Sequence, residues 1–264
     1  MLGKLLKYEF QATARTLCPL YLALIIMSFV EKMSFSYDYD TKFGKLILGI
    51  STVIYIVIIV SSFIVTTVII INRFRKNLLL DEGYLMNTLP IEPWQNILSK
   101  LIVAAVWSII STIVGVISIV ILLYKQGIIT EFINQIGIVI DKCYGKIGAS
   151  IYVLIIEILV ITILAIVREV VLMYAAICVG NLAKKRKVLA GFGAYIGINV
   201  ITSSLSSIFS IGYTYDLEIY LNENNLLASG LCSSFFFGII VEIILAVMYF
   251  LITNYILKNK LNLQ

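Results

Sequence analysis

Along this chain the apolar residues follow no short period; they gather into continuous runs separated by brief polar stretches. A run of about 18 or more residues with few charges is long enough to cross a bilayer as a helix. Six segments answer to this. Residues 46–71, 101–123 and 188–211 contain no Asp, Glu, Lys or Arg. Residues 17–30 are shorter and carry Pro19, so this span needs flanking residues to reach across. Residues 151–179 are long for a perpendicular crossing and hold Glu157, Arg168 and Glu169, and residues 231–257 are interrupted by Glu242. Strands of a membrane β-barrel would alternate apolar and polar residues with period two, which these runs do not do. The pattern predicts an all-α, polytopic membrane protein with six transmembrane helices.

Composition agrees. Of 264 residues, 61% are hydrophobic and 13% charged, against about 45–50% apolar residues in a soluble domain. Cytoplasmic loops carry an excess of Lys and Arg. With the N-terminus inside, the inner segments hold Lys4, Lys7, Arg15, Arg73, Arg75, Lys76, Lys100, Lys184, Lys185, Arg186, Lys187, Lys258 and Lys260. The outer loops hold only Lys32, Lys42, Lys45, Lys125, Lys142 and Lys146. Both termini are therefore expected in the cytoplasm, and the chain in a bacterial cytoplasmic membrane as a multi-pass protein. The cations of "AKKRK" at 183–187 sit in a very short loop, so topology explains them without a nucleic-acid ligand. "MLGKLLKYEFQATART" interleaves Leu2, Leu5, Leu6 and Phe10 with Lys4, Lys7 and Arg15, the mark of an interfacial helix. The expected organisation is an amphipathic elbow at 1–16, turned into the bilayer near Pro19, followed by a transmembrane domain at 17–264.

Chemistry of the usual kinds is sparse. The chain has no histidine, which removes His-based triads, His metal ligands and imidazole proton shuttles. Cys18, Cys143, Cys178 and Cys232 form no CxxC pair. Cys143 and Cys232 could both face outside and form a disulfide, although free thiols are the simpler expectation. "FGKL" and "YGKI" lack the upstream glycine and the hydroxyl residue of a phosphate-binding loop. No enzymatic activity, metal or cofactor is expected in the chain itself.

Ionisable residues inside a span are costly and mark functional positions by default, which singles out Glu157, Arg168, Glu169 and Glu242. Glu157 and Arg168 are three helical turns apart, on one face but out of reach of each other. Arg168 can pair with Glu242 or with an acidic residue across a dimer interface. A salt bridge locking two helices is preferred here to a substrate contact or proton relay. The fifth span carries Gly191, Gly193 and Gly197 toward one end and Thr202, Ser203, Ser204, Ser206 and Ser207 toward the other, suiting close packing or a polar path. Six helices enclose little space, so two copies around a shared path are expected. "QGIITEFINQIGIVIDKCYGKIG" is apolar enough to fold over the outer surface as a short helical lid.

The longest inner connection contains "DEGYLMNTLP" at 81–90. Asp81 can cap a helix, Glu82 adds favourable charge in its first turn, and Pro90 cannot continue it. Leu85, Met86 and Leu89 fit one stripe, with Tyr84 beside it. Pro93 at a first helical position then opens the next span, with Trp94 in the interfacial belt. Such a short helix suits insertion into a partner's groove or packing on its own bundle.

"DEGYLMNTLPIEPWQNILSKLI" resembles the first cytoplasmic loop of bacterial type-2 ABC exporter permeases, in which a Gly-Tyr-Leu segment and a Thr-Leu-Pro precede a Ser-Lys that opens the third span. "MLGKLLKYEF" and "TNYILKNKLNLQ" are similar to the ends of such permeases from Gram-positive bacteria. The resemblance implies a coupling helix that docks into a cleft of a separate ATPase subunit, through Asp81, Glu82, Gly83, Tyr84, Leu85, Met86, Thr88, Leu89 and Pro90. It also implies a homodimer or heterodimer of permeases in the lipid bilayer, two ATPase copies that bind ATP and Mg, and a peptide substrate, with no nucleic acid. Lipids or hydrophobic drugs are the next substrate classes. The competing expectations are a proton-coupled secondary transporter using Glu157 or Glu242, and an immunity or structural membrane protein with no ATPase.

Overall fold

A computed structural model describes residues 2–36, 42–79, 92–124, 128–224 and 227–259. These form seven helices and no strand among the described residues: α1 (Leu2–Ser36), α2 (Lys42–Leu79), α3 (Pro93–Leu123), α4 (Ile128–Ile147), α5 (Ser150–Asn181), α6 (Lys187–Asn224) and α7 (Leu227–Asn259). All but α4 are long and apolar enough to cross a membrane. The 38 residues of α2 reach about 57 Å and the 31 of α3 about 46 Å, well beyond the ~30 Å hydrocarbon core.

The distribution of side chains is the one that lipid demands. Large apolar residues such as Ile64, Ile156, Leu159, Ile244 and Leu251 are exposed, whereas Ser62, Thr66, Ser111, Ser118 and Thr253 are buried. Apolar exposure on this scale far exceeds the few hundred Å² of a soluble protein's largest patch. Between helices in lipid, packing and hydrogen bonds rather than apolar burial supply the attraction. The chain is an all-α, polytopic membrane protein.

The described part of the expected elbow, residues 2–16, and residues 17–30 belong to one helix, and Pro19 lies inside it. Fourteen residues at 17–30 rise only about 21 Å, so a crossing needs the helix to extend at both ends. Pro19 is exposed and its missing N–H leaves the buried stripe of α1 intact.

Contacts divide the chain into two units, residues 1–73 with 98–135 and residues 74–97 with 136–264. In the first, Leu17 and Tyr21 of α1 pack with Val103 and Trp107 of α3. In the second, α5 packs on α6 and α7, and Phe74 stacks on Tyr174 with ring centroids 3.9 Å apart. A Cβ on Gly180 would land on the backbone of Gly191, so α5 and α6 touch main chain to main chain at that point. Among the described residues nothing lies within 4 Å of a Cβ placed on Gly193 or Gly197, whereas Gly191 lies against the backbone of α5. The connection between α5 and α6 turns at Arg186, whose φ of 54° is left-handed, while its carbonyl accepts the Ala190 N–H at 3.0 Å.

Candidate functional site

One buried stripe runs the length of α1. Glu9, Thr13, Leu17, Tyr21, Leu24, Ser28 and Glu31, spaced by three or four residues, are all buried, as one helix face requires. Five of the seven are polar. At its start, the Glu9 carboxylate accepts from the Lys100 ammonium of α3 and lies 3.4 Å from Arg73 Nη1 of α2. One turn on, Thr13 Oγ1 accepts from the Trp107 indole at 2.7 Å while donating to the Glu9 carbonyl at 2.9 Å, and Phe10 stacks on the same indole. The Tyr21 hydroxyl shares a 3.0 Å hydrogen bond with Thr66. At the far end Thr52 donates to Glu31 Oε1 at 2.6 Å, and Tyr55 pairs with Ser118 at 2.6 Å between α2 and α3.

These contacts measure out a membrane. Glu9 and Glu31 are separated by about 33 Å along α1, and their partners Arg73 and Thr52 by about 32 Å along α2, each close to the ~30 Å core. The charged contacts are thus spaced about as far apart as an apolar layer is thick, with the neutral hydroxyl and indole contacts between them. Arg73 and Lys100 also stand on the two stems of the connection that contains 81–90. The residues anticipated for docking, Asp81, Glu82, Gly83, Tyr84, Leu85, Met86, Thr88, Leu89 and Pro90, lie outside the described residues. The stem that follows them starts at Pro93, and Trp94 Nε1 donates to the Glu92 carboxylate.

The second cluster belongs to α5, α6 and α7. Arg168 Nε lies 2.7 Å from Glu242 Oε2, and its Nη2 lies 3.2 Å from Glu169 Oε1. Tyr195 donates to Glu169 Oε2 at 3.3 Å. The Arg168–Glu242 contact lies off the N–H axis, so neither atom counts as hydrogen-bonded and the pair is an ionic contact. One guanidinium thus faces two carboxylates, one on its own helix and one on α7. Glu157 stands apart, and its Oε2 is buried with no hydrogen-bond partner among the described residues.

Comparison with family models, with curated proteins and with solved structures finds no match.

Two carboxylates stand beside those anticipated from the sequence. Glu31 is fully buried, and its Oε2 has no hydrogen-bond partner among the described residues. It falls one residue past the apolar run 17–30 and so reads as loop, although its spacing from Tyr21 and Ser28 puts it on their face. Glu9 reads as one charge of an amphipathic segment; that it clamps two stems depends on partners 64 and 91 residues away. All four cysteines are free, including Cys143 and Cys232. No group of three potential metal ligands occurs among the described residues.

Proposed function

We propose that this chain is the membrane-spanning permease of a bacterial type-2 ABC exporter, with both termini in the cytoplasm. Two copies, in a homodimer or heterodimer, form the pathway, and two separate ATPase chains bind ATP and Mg beneath it. The cargo is an amphipathic or antimicrobial peptide. The observation that supports this reading is the Glu9 clamp. An ATPase that closes on residues 81–90 moves the spans only if the stems of that connection are held, because loose stems would absorb the motion. Glu9 binds a cation on each stem, and the buried stripe above it ties the same helices together down to Glu31. Each nucleotide state of the ATPase then has a mechanical route by which to favour one arrangement of the spans.

The test is purification of the chain in mild detergent from its native host, identification of what accompanies it, and an assay of ATP hydrolysis. A stoichiometric ATPase whose stimulation is lost in Tyr84→Asp and Leu85→Asp, with membrane insertion intact, is the expected result. Unchanged turnover in both variants removes the docking assignment.

A second reading rests on a separate observation. Glu31 and Glu157 each bury a carboxylate oxygen that has no hydrogen-bond partner among the described residues, and Arg168 faces two carboxylates. Buried carboxylates of this kind serve as proton sites in transporters driven by a gradient. Proton uptake by proteoliposomes without any ATPase, abolished by Glu31→Gln or Glu157→Gln, would favour that reading over the exporter.

A further inference from the structure

α4 (Ile128–Ile147) joins the end of α3 to the start of α5, and with six spans it falls on the face opposite both termini. At 100° per residue its residues separate by side. Phe132, Ile133, Ile136 and Val139 share one face and Glu131, Asn134, Asp141 and Lys142 the other, with Lys146 at the edge of the apolar face, two turns on from Val139. The apolar face is uncovered: Phe132 is 64% exposed, Ile133 61% and Val139 57%. A helical lid resting on the outer surface would bury these residues against the bundle.

We propose that α4 lies in the plane of the membrane, with its apolar face sunk in the lipid at the boundary of headgroups and acyl chains. This rests on the six-span fold and not on the exporter reading. The first support is connectivity. Only Gly148 and Ala149 separate α4 from α5. Gly148, at φ 62°, donates its N–H to the Tyr144 carbonyl at 2.8 Å, and the N–H groups of Ile151 and Tyr152 bond to Gly148 and Ala149. That corner has no slack, so the end of α4 is held at the height where α5 leaves the apolar layer, and α5 itself exposes Val153 and Ile156 there.

Aromatic anchors mark the same level. Tyr144 of α4 meets Tyr152 of α5 edge to face at 6.5 Å. Tyrosine gathers at the membrane–water boundary, where its ring is in apolar surroundings and its hydroxyl is wet. Over its length α4 carries two acidic and two basic side chains, Glu131, Asp141, Lys142 and Lys146, so burial of the apolar face, and not attraction to anionic headgroups, holds the helix to lipid.

The test uses nitroxide labels and collisional accessibility to oxygen and to a water-soluble nickel chelate, on the full chain in phosphatidylcholine vesicles with and without phosphatidylglycerol. Cys143 lies on the apolar side and is labelled directly after Cys18, Cys178 and Cys232 are replaced by Ser, which leaves α4 unaltered. Ile133→Cys, Ile136→Cys, Asn134→Cys and Asp141→Cys are labelled in a cysteine-free chain. Oxygen should dominate at 133, 136 and 143 at one common depth, about 5–10 Å below the headgroups. The nickel chelate should dominate at 134 and 141, and neither profile should change with phosphatidylglycerol. Nickel accessibility at 133 and 136 equal to that at 134 would place the helix in water and overturn the proposal. So would a depth that increases steadily along the helix, or labels at 133, 136 and 143 shielded from both reagents, as a protein partner or second copy would shield them.

Discussion

Replacing Glu9 by Gln takes a carboxylate from two cations of unequal burial. The Lys100 side chain is 4% exposed and that of Arg73 32%. Removing one partner of a buried ion pair costs about 3–5 kcal/mol, because the remaining charge keeps its desolvation penalty. A pair open to solvent contributes only about 0–1 kcal/mol. Lys100 therefore carries most of the effect, and Glu9→Gln should destabilise by about 3–5 kcal/mol. On the scale of 2–4 °C per kcal/mol for domains of this size, the unfolding midpoint falls by about 6–20 °C. Intrinsic fluorescence in detergent reads this directly, since Trp107 is stacked on Phe10 one turn above the clamp. Lys100→Met should cost a similar amount, Arg73→Met about 1 kcal/mol or less. The double variant Glu9→Gln with Lys100→Met should recover most of the loss, as a neutral pair of similar volume is tolerated where a lone charge is not. A midpoint for Glu9→Gln within 2 °C of the parent, a larger effect from Arg73→Met, or additive losses in the double variant would refute the reasoning.

Gly180→Ala should prevent α5 and α6 from meeting, because its methyl group has only backbone to displace, including the Lys187 carbonyl at 2.9 Å; gel filtration in detergent should show loss of the monodisperse species. Gly197→Ala meets open space and should be neutral or stabilising by up to about 1 kcal/mol, read as a rise in the unfolding midpoint. Arg168→Glu combined with Glu242→Arg should restore the thermal stability lost in either single variant, and failure to do so would remove the pair as the link between α5 and α7. Reporter fusions at the two ends should both report the cytoplasm, while a fusion after residue 124 should report the opposite side; a split between the ends would contradict an even number of crossings.

Much of the fold was legible because lipid imposes its own ruler. A crossing needs about 20 apolar residues, so the length of each run announces a helix with no knowledge of its neighbours. The runs 46–71, 101–123, 151–179 and 231–257 fall inside α2, α3, α5 and α7, and 188–211 inside α6. Arg168 and Glu242 were also visible as costly charges inside apolar runs, and they meet. The first span was less readable, since its apolar run is too short and its polar residues look like the flanks of a separate interfacial helix. Only the packed structure shows Glu9, Thr13, Tyr21 and Glu31 as one buried face.

The difference has a physical cause. Hydrophobic length is a local property that a single segment carries alone, and it determined the number of candidate spans, their helical class and the membrane setting. Which helix faces which is not local, because lipid is as apolar as a leucine face and the runs carry no periodic stripe to mark an inner side. The choice falls to scattered polar contacts between residues far apart in the chain, such as Glu9 with Lys100, Tyr21 with Thr66 and Arg168 with Glu242, and to the meeting of Gly180 with Gly191. Those partners become visible only when the helices stand together, and the tertiary structure alone decided them.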